Sequence, residues 1–543
     1  MALVLRFVLM ATLLVKASGS EDANYWKALG ASQLEETLQR QSRNQHAKNV
    51  IVFIGDGMGM STITSARIYK GQKNGVASTS LSFEKFPVTG LSKTYSVNKQ
   101  VTDSAQSATA MFTGAKTNNY MLGLDATARY NSCDRSSDDK SKVESIATWA
   151  QRAGKDTGLV TKTRVTHATP AALYAHVNNR DWECDGAIPA EQRGCLKDIA
   201  SQLVGDAPGN NMKVIMGGGA DQLGLKGLNG SKFDGCQRTD GSNLAEVWRA
   251  GKRNSKVVTT RKQLMEETDP GNTDYLLGLF SPDHMHYAGE KQDQPSLSNM
   301  TTQAINILKK SANGFVLMVE GGLIDIAHHQ NYARLALEDT LEFEEAIAVA
   351  RSMTSPDDTL IVVTADHSHS FTINGYPDRG NDILGIAENE HTIYETLTYA
   401  NGPGYNYHRL NDSDSGKLWR DLNNISSAER NGTYYRHFAP IFLHSETHAG
   451  EDVPVYASGP LSFVFSGVFE SNYIAHAISY VACIGPQASR CGANYTEMVS
   501  DDVEVVTCAG SAERKCKESN SAVRPSSGGW LSFFLISLYL CKL

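Results

Sequence analysis

The chain is 543 residues long, 41% apolar and 20% charged, the make-up of a globular protein with ample length for a large core. Its formal net charge of -8 excludes nucleic acid, or any other polyanion, as the main partner. Small anions remain open to it wherever positive charge is local.

Met1 to about Ser20 sets Arg6 inside an apolar run from Leu3 to Val15, followed by small Ala17, Ser18 and Gly19. That pattern predicts a secretory signal over residues 1–20. Tyr25 to Arg43 places Trp26, Leu29, Leu34 and Leu38 at helical spacing and predicts an amphipathic helix for packing, on its own core or against a partner subunit. Asn49 then opens Val50-Ile-Val-Phe-Ile54, an apolar run typical of a strand buried on both faces of a parallel sheet, which ends in Gly55-Asp56-Gly57-Met58-Gly59. The glycine spacing is wrong for a dinucleotide fingerprint, and an acid in the turn would repel pyrophosphate. A carboxylate held there suits a cation better.

Asp103 and Ser104 precede small, helix-compatible residues up to Phe112. A helix starting here puts Ser104 at a positive dipole end, which favours an alkoxide or a phosphate, although plain N-capping explains the same residues. Thr157 to Thr161 reads as a short strand, and the hydroxyl-rich loop Arg164-Val-Thr-His-Ala-Thr-Pro170 after it holds His167 and Thr169. Arg180 falls in a polar turn, and Val214 to Gly219 is a further strand and tight turn. Ala304 to Lys310 reads as helix. The apolar run Phe315 to Val319 meets a carboxylate at Glu320, breaks at Gly321 and Gly322, and resumes with Asp325, His328 and His329. Asp325 and His329 are four apart, so on a helix they share a face and converge as a zinc-type oxygen and imidazole pair.

A long amphipathic helix follows through Leu335, Leu341 and Phe343 to Ala350, and then a buried strand, Thr359 to Ala365, ends in Asp366-His367 with His369 beyond. From Tyr376 to His444 the composition turns to Gly, Asn, Tyr and Asp with little periodicity. This predicts a crown-like surface subdomain over 376–445, inserted between two parts of one catalytic domain, 21–375 and 446–519. Order returns at Glu446-Thr-His-Ala-Gly-Glu-Asp452, with His448 just outside a strand. Small residues Ser519 to Ala522, a polar spacer and the apolar run Trp530 to Leu540 predict a GPI attachment signal over 520–543, too short for a spanning helix. Export agrees with six sequons, at Asn229, Asn299, Asn411, Asn424, Asn431 and Asn494, and with nine cysteines. Eight of these remain once Cys541 leaves with the tail, an even number whose pairing the spacing leaves open.

Three apolar strands thus end in an acid: Asp56, Glu320 and Asp366. The alternation of strands and helices predicts an α/β fold with a central, mostly parallel sheet covered by helices on both faces, whose C-terminal strand edge is where function collects. Carboxylates clustered there repel one another unless a cation lies between them. Asp56, Asp366 and His367 can hold one cation, and Asp325, His329 and His448 another, both as zinc-type sets. Glu320, Asp56 and the Thr169 hydroxyl form an all-oxygen set that suits magnesium. Two close metals would clamp the oxygens of an in-line phosphoryl displacement, with Ser104 as nucleophile.

The motifs Ile54-Gly-Asp-Gly-Met-Gly59, Asp103 to Ala110, Arg164 to Pro170, Val319-Glu-Gly-Gly, Asp325 to His329, Thr364 to His369 and Glu446 to Asp452 together resemble the membrane-anchored alkaline phosphatases of animals. The resemblance covers nearly the whole mature chain. It implies two Zn2+ and one Mg2+ per subunit, a phosphoserine formed on Ser104 from phosphate monoesters at alkaline pH, and Arg180 gripping two phosphate oxygens. Asp103 and His167 would stand just behind the ligands, His167 near the water shell of magnesium. It also implies a homodimer on the outer face of the plasma membrane, and disulfides Cys133 to Cys195 and Cys483 to Cys491. Three departures stand out. Thr169 replaces a serine, Ile326 replaces a histidine, and Ser281 and Gln294 replace acids of a calcium site, so no calcium is expected. A sulfatase would need a Cys-x-Pro-x-Arg type motif, which residues 103–110 lack. A catalytically weak GPI-anchored surface receptor would predict lost ligands, and none of the main set is lost.

Overall fold

The computed structural model describes residues 22–38, 45–133, 139–194, 196–228, 235–290, 293–390, 392–410 and 418–492. The expected signal and anchor segments, Cys195, Cys508, Cys516 and the sequons at Asn229, Asn411 and Asn494 lie outside these residues.

Ten strands form the main sheet: β1 (Asn49–Ile54), β2 (Val88–Lys93), β3 (Asp156–Arg164), β4 (Val214–Gly218), β5 (Ser255–Val258), β6 (Tyr275–Leu279), β7 (Phe315–Glu320), β8 (Thr359–Thr364), and two later strands, Val453–Ser458 and Gly467–Glu470. Reading across, the order is Gly467–Glu470, β2, Val453–Ser458, β8, β1, β7, β3, β4, β6, β5. Val453–Ser458 opposes both its neighbours and every other pairing is parallel, as the α/β expectation requires. The apolar runs alternate cleanly between faces. Val50, Val52 and Ile54 join one core cluster, while Ile51 and Phe53 join the other. With both faces buried, the strands are near-continuous in apolar residues.

One face is covered by α1 (Ala23–Leu38), α3 (Ser104–Thr113) and α7 (Tyr473–Ala482); the other by α2 (Met60–Lys73), α4 (Leu297–Leu308), α5 (Leu323–His329) and α6 (Ala333–Met353). The first helix is described over Ala23–Leu38, and residues 39–43 of the expected helix lie outside the described residues. It packs on α7 of its own chain, with Trp26 and Leu34 buried. Helix α4 begins earlier than its apolar pattern indicates, because Ser296 Oγ accepts from the Asn299 N–H (3.1 Å) and Asn299 returns the bond to the Ser296 N–H (3.3 Å). The sequon asparagine Asn299 is therefore part of a capping box, whereas Asn424 is exposed.

Past residue 376 the described strands are short: Ile386–Asn389 pairs with Thr392–Glu395, and Leu397–Tyr399 pairs back to Phe371–Ile373, both antiparallel. Strands that short leave little periodicity to read. Cys483 and Cys491 are joined as expected, and Cys184 pairs with Cys236 across a Cα–Cα distance of 6.2 Å. Cys133 is also disulfide-bonded.

Candidate active site

Register brings the acids level. Ile54 of β1 pairs with Glu320 of β7 and Thr364 of β8, and Thr161 of β3 also pairs with Glu320. The turns that leave these strand ends therefore open on one shared edge. Gly57 has φ +70, and a Cβ there would lie 2.4 Å from His369 Nε2, so both the turn and the close approach require glycine.

The first group is Asp56, Asp366 and His367, all buried. The His367 Nε2 lies 3.4 Å from Asp56 Oδ1, 3.2 Å from Asp366 Oδ2 and 3.2 Å from Ser104 Oγ. Asp366 Oδ1 accepts from the N–H groups of Gly57 (3.0 Å) and His367 (2.9 Å), which aims its other oxygen at the cluster. Burial, reinforced by the charges of Asp366, Asp325 and Glu320, pushes the Asp56 carboxyl well above its ordinary range, and burial also raises Asp366. Burial and the neighbouring His448 keep His367 well below the usual imidazole value. Ser104 is the first residue of α3. Asp103 is the cap, accepting the Ala105 N–H at 3.0 Å, so the Ser104 hydroxyl is left free of capping duty.

The second group is Asp325, His329 and His448. Asp325 Oδ2 is 3.3 Å from His329 Nε2, and its Oδ1 is 3.3 Å from His448 Nε2. Behind them stand two residues that the sequence reading left without a role. His369 Nε2 meets Asp325 Oδ1 at 2.6 Å, and His369 Nδ1 meets Glu446 Oε2 at 2.5 Å. The Glu446 carbonyl also takes His329 Nδ1, and the Thr102 carbonyl takes His448 Nδ1 at 2.8 Å. Each imidazole thus has its outer nitrogen fixed and its inner one turned to the site. Burial alone would lower His369, but the charges of Glu446 and Asp325 raise it to about 10. Burial would raise Asp325, yet His329 and His369 hold it well below the carboxylate range.

The third group is Glu320, Asp56 and Thr169. Thr169 Oγ1 is 3.5 Å from Asp56 Oδ2, and Glu320 Oε2 is held by Thr161 and by Thr163 at 3.0 Å. Burial raises Glu320 to about 7 against those hydroxyl bonds. His167 offers an atom within 4.8 Å of ligand atoms on Asp56 and Glu320, so the structure brings it into this group. Burial and the cations Arg180 and Arg164 keep His167 neutral, far below its usual value. A Cβ on Gly322 would sit 2.3 Å from Thr163 Cγ2 and 2.9 Å from Glu320 Oε1; with φ of -78 there, this glycine makes room for the carboxylate and the threonine that holds it, and is not needed for the turn.

Arg180 is fixed at both ends of its fork, NH1 to Asp103 Oδ1 at 2.5 Å and NH2 to His167 Nε2 at 2.8 Å. His328, whose sequence neighbour His329 faces the site, points away: its Nδ1 meets the Tyr399 hydroxyl (2.8 Å) and its Nε2 the Thr62 hydroxyl (3.0 Å). Where acids of a calcium site were absent from the sequence, Gln294 donates to the Phe280 carbonyl (2.9 Å) and accepts the His286 N–H (3.0 Å).

Asp56 Oδ1, Asp366 Oδ2, Glu320 Oε1 and His167 Nδ1 are buried without a hydrogen-bond partner from the protein. Three such carboxylate oxygens facing one edge are not tolerated without positive charge, whereas His167, whose Nε2 takes the Arg180 N–H, carries its proton on Nδ1 and is a donor there. The donor types, imidazole plus carboxylate in two groups and mostly oxygen in the third, fit divalent cations.

The sequence profile of the family described as "Alkaline phosphatase" matches residues 47–484. Alkaline phosphatase 4 of Drosophila melanogaster is 47% identical over 504 residues, covering 87% of this chain and 83% of that one. The membrane-bound alkaline phosphatase of Bombyx mori is 38% identical, covering 89% of each, and the human tissue-nonspecific isozyme is 41% identical, covering 87% and 90%. Among solved structures, the alkaline phosphatase of Thermus thermophilus superposes with a TM-score of 0.57 at 24% identity over 82% of this chain and 93% of that one. A mutant of the enzyme from the Antarctic bacterium TAB5, described with Mg bound in the M3 site, gives 0.56 at 25% identity over 82% and 100%.

Proposed function

The chain belongs to the alkaline phosphatase family and hydrolyses phosphate monoesters, and from that premise we propose how its own residues divide the work. Ser104 is the nucleophile. It sits at the positive end of a ten-residue buried helix, where developing negative charge on Oγ is stabilised, with His367 Nε2 3.2 Å away. Arg180 holds the phosphoryl group. With one N–H of each terminal nitrogen committed to Asp103 and His167, its remaining donors form a pre-set fork for two phosphate oxygens. The Ser104 Oγ–P bond forms as the bond from phosphorus to the leaving alcohol breaks, and water then releases phosphate from the serine.

Two Zn2+ would be held by Asp56, Asp366 and His367 and by Asp325, His329 and His448, and one Mg2+ by Asp56, Glu320 and Thr169, with His167 beside it. Such ions supply Lewis-acid stabilisation of the attacking and leaving oxygens. We place the protein at the outer cell surface on a GPI anchor, glycosylated and as a homodimer. A membrane-bound relative supports the location, and no described helix is long and apolar enough to cross a membrane. Residues 21–375 and 446–519 would form the catalytic domain around the expected surface subdomain.

The observation that carries the mechanism is the Ser104 hydroxyl at a helix N-terminus, facing carboxylate oxygens without partners. Metal analysis alongside turnover of a generic phosphomonoester tests it. Ser104→Ala should keep the metals and lose the acid-stable phosphoenzyme, and a phosphoenzyme persisting in that variant would remove Ser104 from the role.

A further inference from the structure

Two large aromatic side chains stand exposed beside the arginine fork. Tyr120 is 46% exposed and Tyr130 49%, with ring centroids 6.0 Å apart at an interplanar angle of 45°. Both are mounted on the segment that carries Arg180. The Tyr120 carbonyl accepts the Arg180 N–H at 2.9 Å. Next to Tyr130, the Asn131 N–H donates to the Asn178 carbonyl (3.2 Å), and the Asn179 amide donates to Asn131 Oδ1 (3.3 Å). Leu122 and Val177 exchange both backbone bonds, at 2.9 and 3.0 Å, which locks the two segments together.

The backbone at Tyr120 adopts φ +65, a region that bulky side chains avoid and that glycine or asparagine would fill without strain. Burial first raises both phenols, followed by the charge of Asp103 at Tyr120 and by Asp181, Tyr120 and then Asp103 at Tyr130, so each hydroxyl lies within electrostatic reach of the carboxylate that holds Arg180.

We propose that Tyr120 and Tyr130 form an aromatic shelf at the mouth of the phosphate pocket, selecting monoesters whose leaving alcohol carries a flat aromatic or heteroaromatic ring. This rests on Arg180 being the phosphate grip. The fork fixes the phosphoryl end, and the leaving group extends toward solvent across the two rings. A planar π system gains stacking area there that a small aliphatic alcohol cannot match.

The test uses the metal-loaded enzyme with Tyr120→Asn, which tolerates the left-handed backbone, Tyr130→Leu, and the double variant. Phenyl phosphate, adenosine 5′-monophosphate and glycerol 2-phosphate are compared by kcat/KM, with inorganic phosphate as inhibitor. The double variant should lower the ratio of phenyl phosphate to glycerol 2-phosphate by roughly 2- to 10-fold, the scale of one aromatic contact. Tyr120→Phe should preserve that ratio. A parallel fall for the nucleotide extends the shelf to nucleobases; a fall for phenyl phosphate alone restricts it to aryl alcohols. Unchanged ratios overturn the proposal, whether all rates fall together or none does. Unchanged ratios with a lost dimer on size exclusion assign the surface to a second copy. A wild-type enzyme inert on all three substrates would instead defeat the phosphatase reading itself.

Discussion

Glu446→Gln isolates the support behind the second metal group. The Glu446 side chain is 1% exposed and accepts three bonds: from His369 Nδ1 (2.5 Å), from the Ser370 N–H (2.7 Å) and from the Ser370 hydroxyl (2.5 Å). Glutamine keeps the shape, removes the charge that sustains His369, and turns an N–H2 toward one of these donors. Losing one buried charge-assisted bond costs about 1.5 to 3 kcal/mol. A weakened partner behind a metal ligand typically costs about 10- to 100-fold in metal affinity, which converts to about 1.4 to 2.7 kcal/mol. The two figures agree, so zinc at the group of Asp325, His329 and His448 should dissociate about 10- to 100-fold more readily. The His329 bond to the Glu446 carbonyl should survive, because it is made by the backbone. The assay is zinc release to a chromogenic chelator, with zinc content measured after dialysis. Release at the wild-type rate, from a variant with wild-type circular dichroism, would refute the reasoning.

Arg180→Ala removes the fork and leaves Asp103 without its partner, so kcat/KM should fall by roughly 10- to 100-fold, inorganic phosphate should inhibit less, and zinc content should hold. A variant that binds phosphate as tightly as wild type would count against the assignment. Trp26→Ala empties a site 1% exposed and should cost about 3 to 5 kcal/mol of stability without changing kcat at 25 °C; an unchanged thermal midpoint would contradict its packing with Ala115 and Val143. His437 and His476 are buried, and burial lowers them to about 3 and about 4. Both folded values lie below the ordinary value near 6.5, so their contribution is complete above that pH. It is lost as pH falls from there toward the folded values, on the order of 5 kcal/mol for His437 and 3 kcal/mol for His476. Denaturation midpoints should therefore drop between pH 6.5 and 4, and His476→Gln should flatten that slope.

The sheet and the candidate ligands were legible because the chain states them locally. A strand such as Val50 to Ile54 that runs apolar and then presents Asp56 gives away both its burial and its edge, and the four-residue step from Asp325 to His329 needs only a helix to become a pair. Arg180 carries no such local mark, and its role came from the resemblance; His448 was marked only by standing just outside a strand and joined its set by ligand type. Glu446 and His369 escaped because their importance lies in a bond between residues 77 positions apart in the sequence. Thr161 and Thr163 looked like strand filler, and only the register of β3 against β7 turns their hydroxyls onto Glu320. Likewise Gly321 and Gly322 read as a break in the apolar run, whereas Gly322 provides space beside Thr163 and Glu320.

The position of β1 in the sheet sets a problem for the chain as it is being made. Its partners β7 and β8 arrive long after it, Asn49 bonding with Thr359 across 310 residues. Until then Asn49–Ile54 is an unpaired, uncharged apolar strand, the kind of segment that sticks to its copies in other chains. Contacts of such separation form slowly. Because His448 and the opposing strand Val453–Ser458 come later still, a chain stopped short of residue 458 would keep most of its acidic ligands and yet lack the strand that joins β2 to β8. Nonsense variants late in the sequence should therefore be lost to aggregation and quality control before they could ever be assayed as weak enzymes.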